Sequence, residues 1–252
     1  MKKLISILCS LALLLSAAGC AGKSAEPTAL RSFIAGYEDE TAGVSARVLM
    51  NLMSDGTAEF YVGALKNGEH STAKYTGTYT IGENDEFDET ISVSYTYGEG
   101  KTAEITDAVI IDSIFEMPFY LLDEMTASEI KFYESAPASM DGDVYVGYLT
   151  KTGGMGPMVY AYALCLRNDM TFDVSIMQMA SVMHVFGGTN GTYAVDGENI
   201  TFTYDILTTD GEVVSADETA EGTEYTDNTL SVGFNIQQAA MRASASAFIR
   251  VK

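Results

Sequence analysis

Two stretches of the chain alternate in polarity with a period of two, which indicates β-strands with one buried face. Their apolar positions are Ala46, Val48, Met50 and Leu52 in the first stretch, and Tyr160, Tyr162, Leu164 and Leu166 in the second. Successive side chains of a strand point to opposite faces of a sheet, so these residues share one face of each strand. We expect that face in a hydrophobic core and the opposite face, which includes Leu49 and Ala161, towards water.

Short motifs occur twice in the same order, which indicates a duplicated module. Gly-Thr-Tyr occurs twice. Asp-Gly-Thr in the first half has Asp-Met-Thr as its counterpart, and the same number of residues separates the two members of each pair. The matched segments are 36–37 with 147–148, 55–57 with 169–171, 77–79 with 191–193, and 91–95 with 200–204. Small drifts in offset are what loop insertions produce, and 84–89 reads as a longer hairpin loop in the first copy.

The predicted fold class is all-β with minor α. Short strands joined by turn signals at even spacing are typical of antiparallel up-and-down meanders that curl into small barrels. We place the first barrel-like repeat at 33–134 and the second at 144–252, with the boundary where polar, small and Pro residues cluster at 135–143. Two helices are expected as exceptions, one over 112–129, interrupted at Pro118, and a short one that includes 237–243.

The amino terminus reads as a secretory signal followed by an anchor. A basic head of two lysines precedes an apolar run at 4–15, which is too short to span a bilayer comfortably. The residues Ala17-Ala18-Gly19-Cys20 resemble the lipobox of bacterial lipoproteins, which implies removal of 1–19 and a diacylglycerol on Cys20. The alternative is an ordinary secreted protein in which Cys20 is incidental. Residues 20–32 lack periodicity and read as a tether, so we expect a protein held at the extracytoplasmic face of the cell membrane.

The charge balance excludes some partners. The chain has 14 Lys and Arg against 35 Asp and Glu, for a formal net charge of −21. Such a surface repels phosphate, so nucleic acid is not expected as a partner. Attachment to anionic lipid through basic residues is not expected for the same reason, which leaves the lipid anchor as the predicted link to the membrane.

The order of the repeated segments resembles the small lipocalin-like (calycin-type) domains of bacterial lipoproteins. Both copies have the same order of segments. Gly-Tyr comes first and is followed by a long strand, then by the turn at 55–57 or 169–171, and then by Gly-Thr-Tyr and another strand. The resemblance implies up-and-down barrels, some of which hold a small apolar ligand. Lipocalins carry Gly-x-Trp on the first strand, whereas this chain has no Trp and places Tyr37 and Tyr148 near that position.

Candidate catalytic chemistry is scarce. His70 lies in the polar stretch 66–74, which reads as a solvated loop, and His184 lies in an apolar run without a Gly-x-Ser-x-Gly elbow anywhere in the chain. Acidic residues at 85–89 lack the spacing of a calcium loop, and Cys165 reads as an inert, partly buried thiol. We therefore expect no enzyme activity, no cofactor and no metal, with a hydrolase as the less favoured alternative.

Met177, Met179 and Met183 with His184 form the sharpest local cluster. Thioether and imidazole ligands suit Cu(I), but on a strand His184 points away from the methionines, which favours core packing over copper.

The leading functional hypothesis is a lipid-anchored protein that binds a small ligand or an envelope partner. If either barrel is hollow, the candidate lining residues are Tyr148, Tyr162, Tyr193, Met177 and Met179, because Tyr combines an apolar ring with a hydrogen-bonding tip. The alternative is an interaction module of the cell envelope whose barrels are packed solid.

Overall fold

The computed structural model describes residues 26–122, 125–153, 156–180, 183–207, 213–234 and 246–252. Strands, turns and bends account for the regular structure in these ranges, and the prediction of an all-β chain is confirmed there. No helix long and apolar enough to cross a membrane occurs among them. The predicted signal segment 1–19, Cys20 and the predicted helix over 237–243 lie outside the described residues.

The first sheet follows the chain as an antiparallel meander and forms the first barrel. Its strands are β1 (Ala29–Asp39), β2 (Val44–Met53), β3 (Thr57–Lys66), β4 (Glu69–Glu83), β5 (Glu89–Tyr97), β6 (Lys101–Val109), β7 (Ile114–Leu122) and β8 (Met125–Ser135). Their order in the sheet is β6-β5-β4-β3-β2-β1-β8-β7. Strand β1 begins at Ala29, within the segment predicted as a tether.

The second sheet repeats this topology and forms the second barrel. Its strands are β9 (Asp143–Gly153), β10 (Gly156–Leu166), β11 (Thr171–Ala180), β12 (Met183–Asp196), β13 (Asn199–Leu207), β14 (Val213–Gly222), β15 (Thr229–Val232) and β16 (Ser246–Arg250). Their order is β14-β13-β12-β11-β10-β9-β16-β15, which matches the first sheet strand for strand. One sheet closes almost completely into a barrel and the other forms a half-barrel.

The predicted helix over 112–129 is wrong. The described part of this segment consists of β7 and the start of β8, and Phe115 pairs with Phe132 across the two strands. Pro118 lies within β7, where the register with β8 shifts between Met117 and Phe119. A shift of this kind accommodates a residue that has no backbone N–H to donate.

The two turns of the Asp-x-Thr motif are built identically. The Asp55 carboxylate accepts hydrogen bonds from the Thr57 hydroxyl at 2.6 Å and from its backbone N–H at 3.0 Å. Asp169 accepts the same bonds from Thr171, again at 2.6 and 3.0 Å. These bonds favour the ionised carboxylate and lower the pKa of both Asp55 and Asp169. The two copies of the module therefore share the same individual hydrogen bonds in this turn.

The tyrosine of each Gly-Thr-Tyr motif ties its strand to an earlier one. The Tyr79 hydroxyl donates to the Met53 carbonyl at 3.0 Å, and the Tyr193 hydroxyl donates to the Arg167 carbonyl at 2.8 Å. Met53 and Arg167 occupy matching places, each just before the repeated turn. Each carbonyl also accepts the backbone N–H that closes the repeated turn, from Gly56 or from Met170 at 3.1 Å, so the tyrosine hydroxyl is its second donor.

The glycine of the same motif is required by close backbone approach. A Cβ on Gly77 would lie 2.0 Å from the Ser94 carbonyl oxygen, and one on Gly191 would lie 2.1 Å from the Thr203 carbonyl oxygen. The two clashes are with backbone atoms, which do not move aside as a flexible side chain would. Both barrels therefore require a residue without a Cβ at this position of the motif.

The predicted match of 36–37 with 147–148 is displaced by one residue. In the first barrel, Gly36 pairs with Arg47. Ala161 occupies the place of Arg47 in the second barrel, and it pairs with Tyr148. The counterpart of Gly36 is therefore Tyr148. Because one residue of displacement turns a side chain to the other face of a sheet, Tyr37 packs on the first barrel interior and Tyr148 points out of the second.

Aromatic side chains fill the interiors of both barrels. The fully buried rings are Phe33, Phe60, Tyr95, Phe115, Phe119 and Phe132 in the first, and Tyr145, Tyr162, Phe172, Phe202, Phe234 and Phe248 in the second. The apolar faces predicted for β2 and β10 are among the residues that line these cores.

A third apolar cluster lies between the two barrels, which we call the interbarrel layer. It contains Ile34, Leu49, Tyr61 and Tyr133 from the first barrel, and Val144, Val146, Val159, Ala161, Ala163, Cys165, Met177 and Val251 from the remainder. The expectation that Leu49 and Ala161 face water is therefore wrong, since both are 0% exposed, and Cys165, expected to be partly buried, is 1% exposed. Strands β2 and β10 are buried on both faces because the barrels pack back to back.

The repeated turn offers a test of backbone strain. Gly56 has φ 85°, and Met170 occupies the same place in the second turn with φ 64°. We expect Gly56→Ala to lower the free energy of unfolding by about 1–2 kcal/mol, because an L side chain is strained in this region. Met170→Gly is expected to leave it unchanged or raise it by up to about 1 kcal/mol. Urea titration of both variants measures this, and a clear loss of stability in Met170→Gly would contradict it.

The interbarrel layer predicts the cost of a charge on β10. We expect Ala161→Asp to lower the free energy of unfolding by about 2–4 kcal/mol, because the layer offers the new carboxylate no water. The matched control is Thr80→Asp on an exposed strand face, which should cost less than about 1 kcal/mol. Similar values for the two variants in chemical denaturation would refute burial of this face.

Candidate functional site

A cleft of about 850 Å³ opens at one end of the first barrel, which we call the mouth cleft. Its principal side chains are Lys66, Glu69, Lys74, Tyr75, Tyr97 and Leu122. Strand β3 ends at Lys66, β5 ends at Tyr97 and β7 ends at Leu122, so the meander brings these residues to the same rim. The cleft combines apolar rings with polar and charged groups, as small-molecule sites do.

The mouth cleft lies at the opposite end of the barrel from the start of β1. Strands β1 and β3 run in the same direction, because each is antiparallel to β2. The cleft is at the end of β3, and Ala29 at the beginning of β1 is therefore at the far end. This end also holds the turn after β2, where the backbone N–H of Thr28 donates to the Ser54 hydroxyl at 3.1 Å.

Tyrosines build one wall of the mouth cleft. The Tyr75 hydroxyl donates to the Leu121 carbonyl at 3.0 Å, which fixes its ring between β4 and β7. The Tyr97 ring meets Tyr75 edge-on with centroids 6.5 Å apart and stacks on Tyr120 at 4.0 Å. A surface of this kind holds its shape without a ligand, because its rings are positioned by one another.

Charged groups on the rim differ in how they are paired. The Lys74 ammonium lies 2.7 Å from the Glu59 carboxylate, and the Tyr61 hydroxyl donates to the same carboxylate at 2.6 Å. Burial alone would raise the pKa of Glu59, but these two bonds outweigh it and lower the pKa. Lys66 is exposed and forms no ion pair with the described residues, so its charge is available to a ligand.

The floor of the mouth cleft is a packed core. Phe60 lies 5.3 Å from Phe119 and 4.8 Å from Tyr95 between ring centroids. In the second barrel Phe202 lies 4.9 Å from Phe172 and 5.0 Å from Phe234. These are contact distances for aromatic pairs, so rings and not a ligand occupy the middle of each barrel.

The structure separates the lining residues predicted from the sequence. Tyr162 lies inside the second barrel, and Tyr193 packs at the edge of the same core. Tyr148, Met177 and Met179 belong to the interbarrel layer, where the Tyr148 ring contacts that of Tyr133 at 5.8 Å. The five residues therefore do not line one cavity.

The histidine and metal hypotheses have little structural support among the described residues. The predicted loop over 66–74 is a tight β3–β4 hairpin, and His70 Nε2 lies 2.9 Å from the Arg250 carbonyl oxygen of the second barrel. In the acidic turn, the Asn84 side-chain oxygen accepts from the backbone N–H of Glu86 and Asp88, both at 2.9 Å. No group of three or more metal-ligating His, Cys, Asp or Glu occurs in the described ranges. The side chains of Met183 and His184 lie outside them.

Cys165 is shielded in the interbarrel layer. Its thiol donates to an Asp141 carboxylate oxygen at 3.4 Å, and Arg167 binds Asp141 and Asp173 instead of the sulfur. Burial, reinforced by the bond to Asp141, raises the pKa of the Cys165 thiol to about 11. A thiol in this environment is a poor nucleophile at neutral pH.

Sequence reasoning missed the mouth cleft. The available signal was the alternation of Tyr95 and Tyr97 at the end of β5, since a tyrosine beyond the last core position of a strand lies at the rim of a barrel. The pairing of Tyr97 with Tyr120 joins strands that are not neighbours in the chain, and no local pattern encodes it.

Comparisons with protein-family models, curated proteins and solved structures returned no match for this chain. The fold alone defines its class, which is a tandem pair of antiparallel up-and-down β-barrels.

The raised pKa of Cys165 predicts its reactivity. We expect iodoacetamide to leave Cys165 unmodified in the folded protein at about pH 8, because the thiol is almost wholly protonated below its pKa of about 11 and is also shielded. Reactivity should rise only as the pH approaches that value. Mass spectrometry of the Cys165 peptide measures the modification, with protein unfolded in urea as the positive control. Rapid labelling of the folded protein at neutral pH would contradict the buried position.

Proposed function

We propose that this protein is a lipid-anchored, extracytoplasmic binding protein that takes a small ligand at the mouth cleft of its first barrel. The observation that carries the proposal is the preformed, tyrosine-walled cleft above a solid core. The binding surface then lies at the open end of a lipocalin-like barrel and not in its interior.

The position of the cleft suits an anchored protein. The resemblance of 17–20 to a lipobox supports acylation of Cys20, and the tether then joins the barrel at the start of β1. At no more than about 3.5 Å per residue, the segment from Cys20 to Ala29 keeps that end of the barrel within about 30 Å of the membrane. The mouth cleft, at the other end, faces away from the lipid surface.

The composition of the cleft supports binding without catalysis. Lys66 and Glu69 are exposed, and the Lys74 charge is neutralised by Glu59. A general base or nucleophile needs a partner that orients and activates it. No such pair stands out among the described residues of the cleft, so we infer a carrier or receptor role.

The solid cores favour a second candidate, an interaction module of the cell envelope. Where rings fill both interiors, the outer faces and loops remain for contact with another protein. A partner bound through the mouth cleft would use the same Tyr97 and Lys66, so the two candidates differ in the size of what binds.

Lys66→Ala and Tyr97→Ala test the proposed site. We expect small molecules that raise the melting temperature of the protein, through preferential binding to its folded state, to lose most of that effect in both variants. The readout is a thermal-shift screen against a panel of small metabolites, followed by titration of each hit. Lys66→Ala keeps the test valid if Tyr97→Ala weakens the fold, because Lys66 is exposed.

The matched control is Lys131→Ala, which removes an exposed lysine on β8 outside the cleft. Hits that keep their full effect in Lys66→Ala and Tyr97→Ala would disprove binding in the mouth cleft. If no compound of the panel raises the melting temperature, a photo-crosslinker at position 97 is used in envelope extract. A specific crosslink to another protein would then favour the interaction module.

A further inference from the structure

The exposed large apolar side chains of the first barrel gather at one of its ends. Among the described residues of this barrel they are Leu30, Ile81, Phe87 and Ile111, which we call the apolar base. Leu30 is at the start of β1 and Ile81 is near the end of β4, whereas the other two lie in the turns after β4 and β6. Because neighbouring strands are antiparallel, these turns and the start of β1 share the end opposite the mouth cleft.

The turn between β4 and β5 holds the Phe87 ring outwards. The Phe87 backbone N–H donates to the Asn84 carbonyl at 3.1 Å, and the Asn84 side chain bonds to the backbone on both sides of Phe87. Phe87 has φ 67°, a region in which a bulky residue is strained. It is also 83% exposed, so packing within the barrel does not account for an aromatic ring at this place.

The turn between β6 and β7 is a second tip beside the first. Ile111 and Ile114 exchange two backbone hydrogen bonds of 2.9 Å, which closes a two-residue turn. The Ile110 N–H donates to the Glu89 carbonyl at 2.8 Å, so this turn is tied to the chain two residues after Phe87. Ile111 is 62% exposed. Two rigid tips therefore present apolar side chains next to each other.

Ion pairs join the start of β1 to these tips. The Arg31 guanidinium nitrogens lie 2.8 Å from a Glu89 carboxylate oxygen and 2.7 Å from a Glu134 carboxylate oxygen. Arg31 also lies over the Phe33 ring at 5.2 Å and directly follows Leu30 in the chain. The apolar base is thus held as one surface, and the charge of Arg31 is neutralised within the barrel.

The charges around the apolar base determine which lipid surface suits it. The carboxylates of Asp85, Glu86, Asp88 and Asp112 belong to the two turns. Arg31 is the one Lys or Arg at this end among the described residues of the first barrel, and it is already paired. Anionic headgroups repel such a surface, whereas zwitterionic headgroups carry no net charge and offer ammonium groups to the carboxylates.

The chain enters the barrel at the apolar base. Leu30 follows Ala29, the first residue of β1, and the segment from Cys20 to Ala29 spans no more than about 30 Å. Its lysine, Lys23, is balanced by Glu26, so the segment adds no net charge. A surface tethered this closely meets lipid at a high effective concentration, so contacts that are weak singly are sufficient.

We propose that the apolar base docks on a zwitterionic lipid bilayer, with Phe87 and Ile111 at the level of the headgroups. Aromatic and aliphatic side chains with polar neighbours are suited to this interfacial region. The proposal rests on the lipid anchor of the proposed function and goes beyond it, because an anchor alone leaves the barrel free to rotate on its tether. Docking fixes the barrel upright and keeps the mouth cleft open to the opposite side.

Single tryptophans test the contact, since the chain has no Trp of its own. Phe87→Trp and Ile111→Trp place the reporter in the apolar base, and the matched control Glu99→Trp places it in the turn at the other end of β5. The full-length acylated protein is added to phosphatidylcholine vesicles with and without brominated acyl chains. We expect bromine to quench the first two variants at least about twofold more than the control, with emission at shorter wavelength.

The outcomes separate this proposal from the anchor. Quenching of Phe87→Trp and Ile111→Trp no stronger than that of Glu99→Trp overturns the docking. Emission at shorter wavelength without quenching by bromine overturns it as well, because protein and not lipid then covers the base. Mass spectrometry of the amino-terminal peptide reads acylation of Cys20 separately. A chain without the acyl group overturns the anchor and the docking together, whereas an acylated chain without quenching overturns the docking alone.

Lipid charge tests the kind of surface. Replacement of about a third of the phosphatidylcholine by phosphatidylglycerol should lower the quenching of Phe87→Trp about twofold at low salt, and high salt should restore it. Stronger quenching in the anionic vesicles overturns the zwitterionic surface. Both reporters replace exposed side chains, so their melting temperatures should match that of the parent protein. If one of them differs, the other decides the outcome.

Discussion

Burial of two strands on both faces is the constraint on which the molecule depends. Leu49 on β2 and Ala161 on β10 point away from their own barrel cores, yet both are excluded from water by the opposite barrel. The layer also accommodates the Arg47 guanidinium, which lies 2.6 Å from Glu38 and over the Tyr148 ring at 6.0 Å. A charge in such a position is tolerated because it keeps a carboxylate and an aromatic face as partners. The two barrels are thereby held back to back by a shared apolar layer.

The way the barrels are filled determines where function can lie. Packed phenylalanine and tyrosine rings occupy the middle of the first barrel, so the space available for a ligand is at its rim. The second barrel differs, because the polar side chains of Gln178 and Ser246 are buried within its interior. One topology, used twice, thus supports an external cleft in one copy and a partly polar interior in the other. Divergence of side chains after duplication is sufficient for this, since the strand order is the same in both.

Short motifs anticipated much of the architecture because they encode local requirements. The Asp-x-Thr turns and the Gly-Thr-Tyr segments act through bonds and contacts between neighbouring strands, so their recurrence correctly indicated a repeat. The error at 36–37 and 147–148 has a physical origin too, since a pair of residues carries no information about which face of the sheet each occupies. The helix expected over 112–129 failed because its apolar spacing suits a strand of a closed barrel as well as a helix, and pairing with β8 favours the strand.

The sequence by itself determined the class of fold, the duplication and the inward faces of β2 and β10, because these follow from the period of side chains along a strand and from turns that close locally. It also indicated that Cys165 is inert, although it did not show the layer that buries it. Only the tertiary structure decided that outward-facing residues lie between the barrels, that Tyr97 and Tyr120 form the wall of a cleft, and that Arg31, Glu89 and Glu134 meet at one end of the first barrel. Such contacts join strands that are distant in the chain, and the curvature of each sheet, which no local pattern specifies, brings them together.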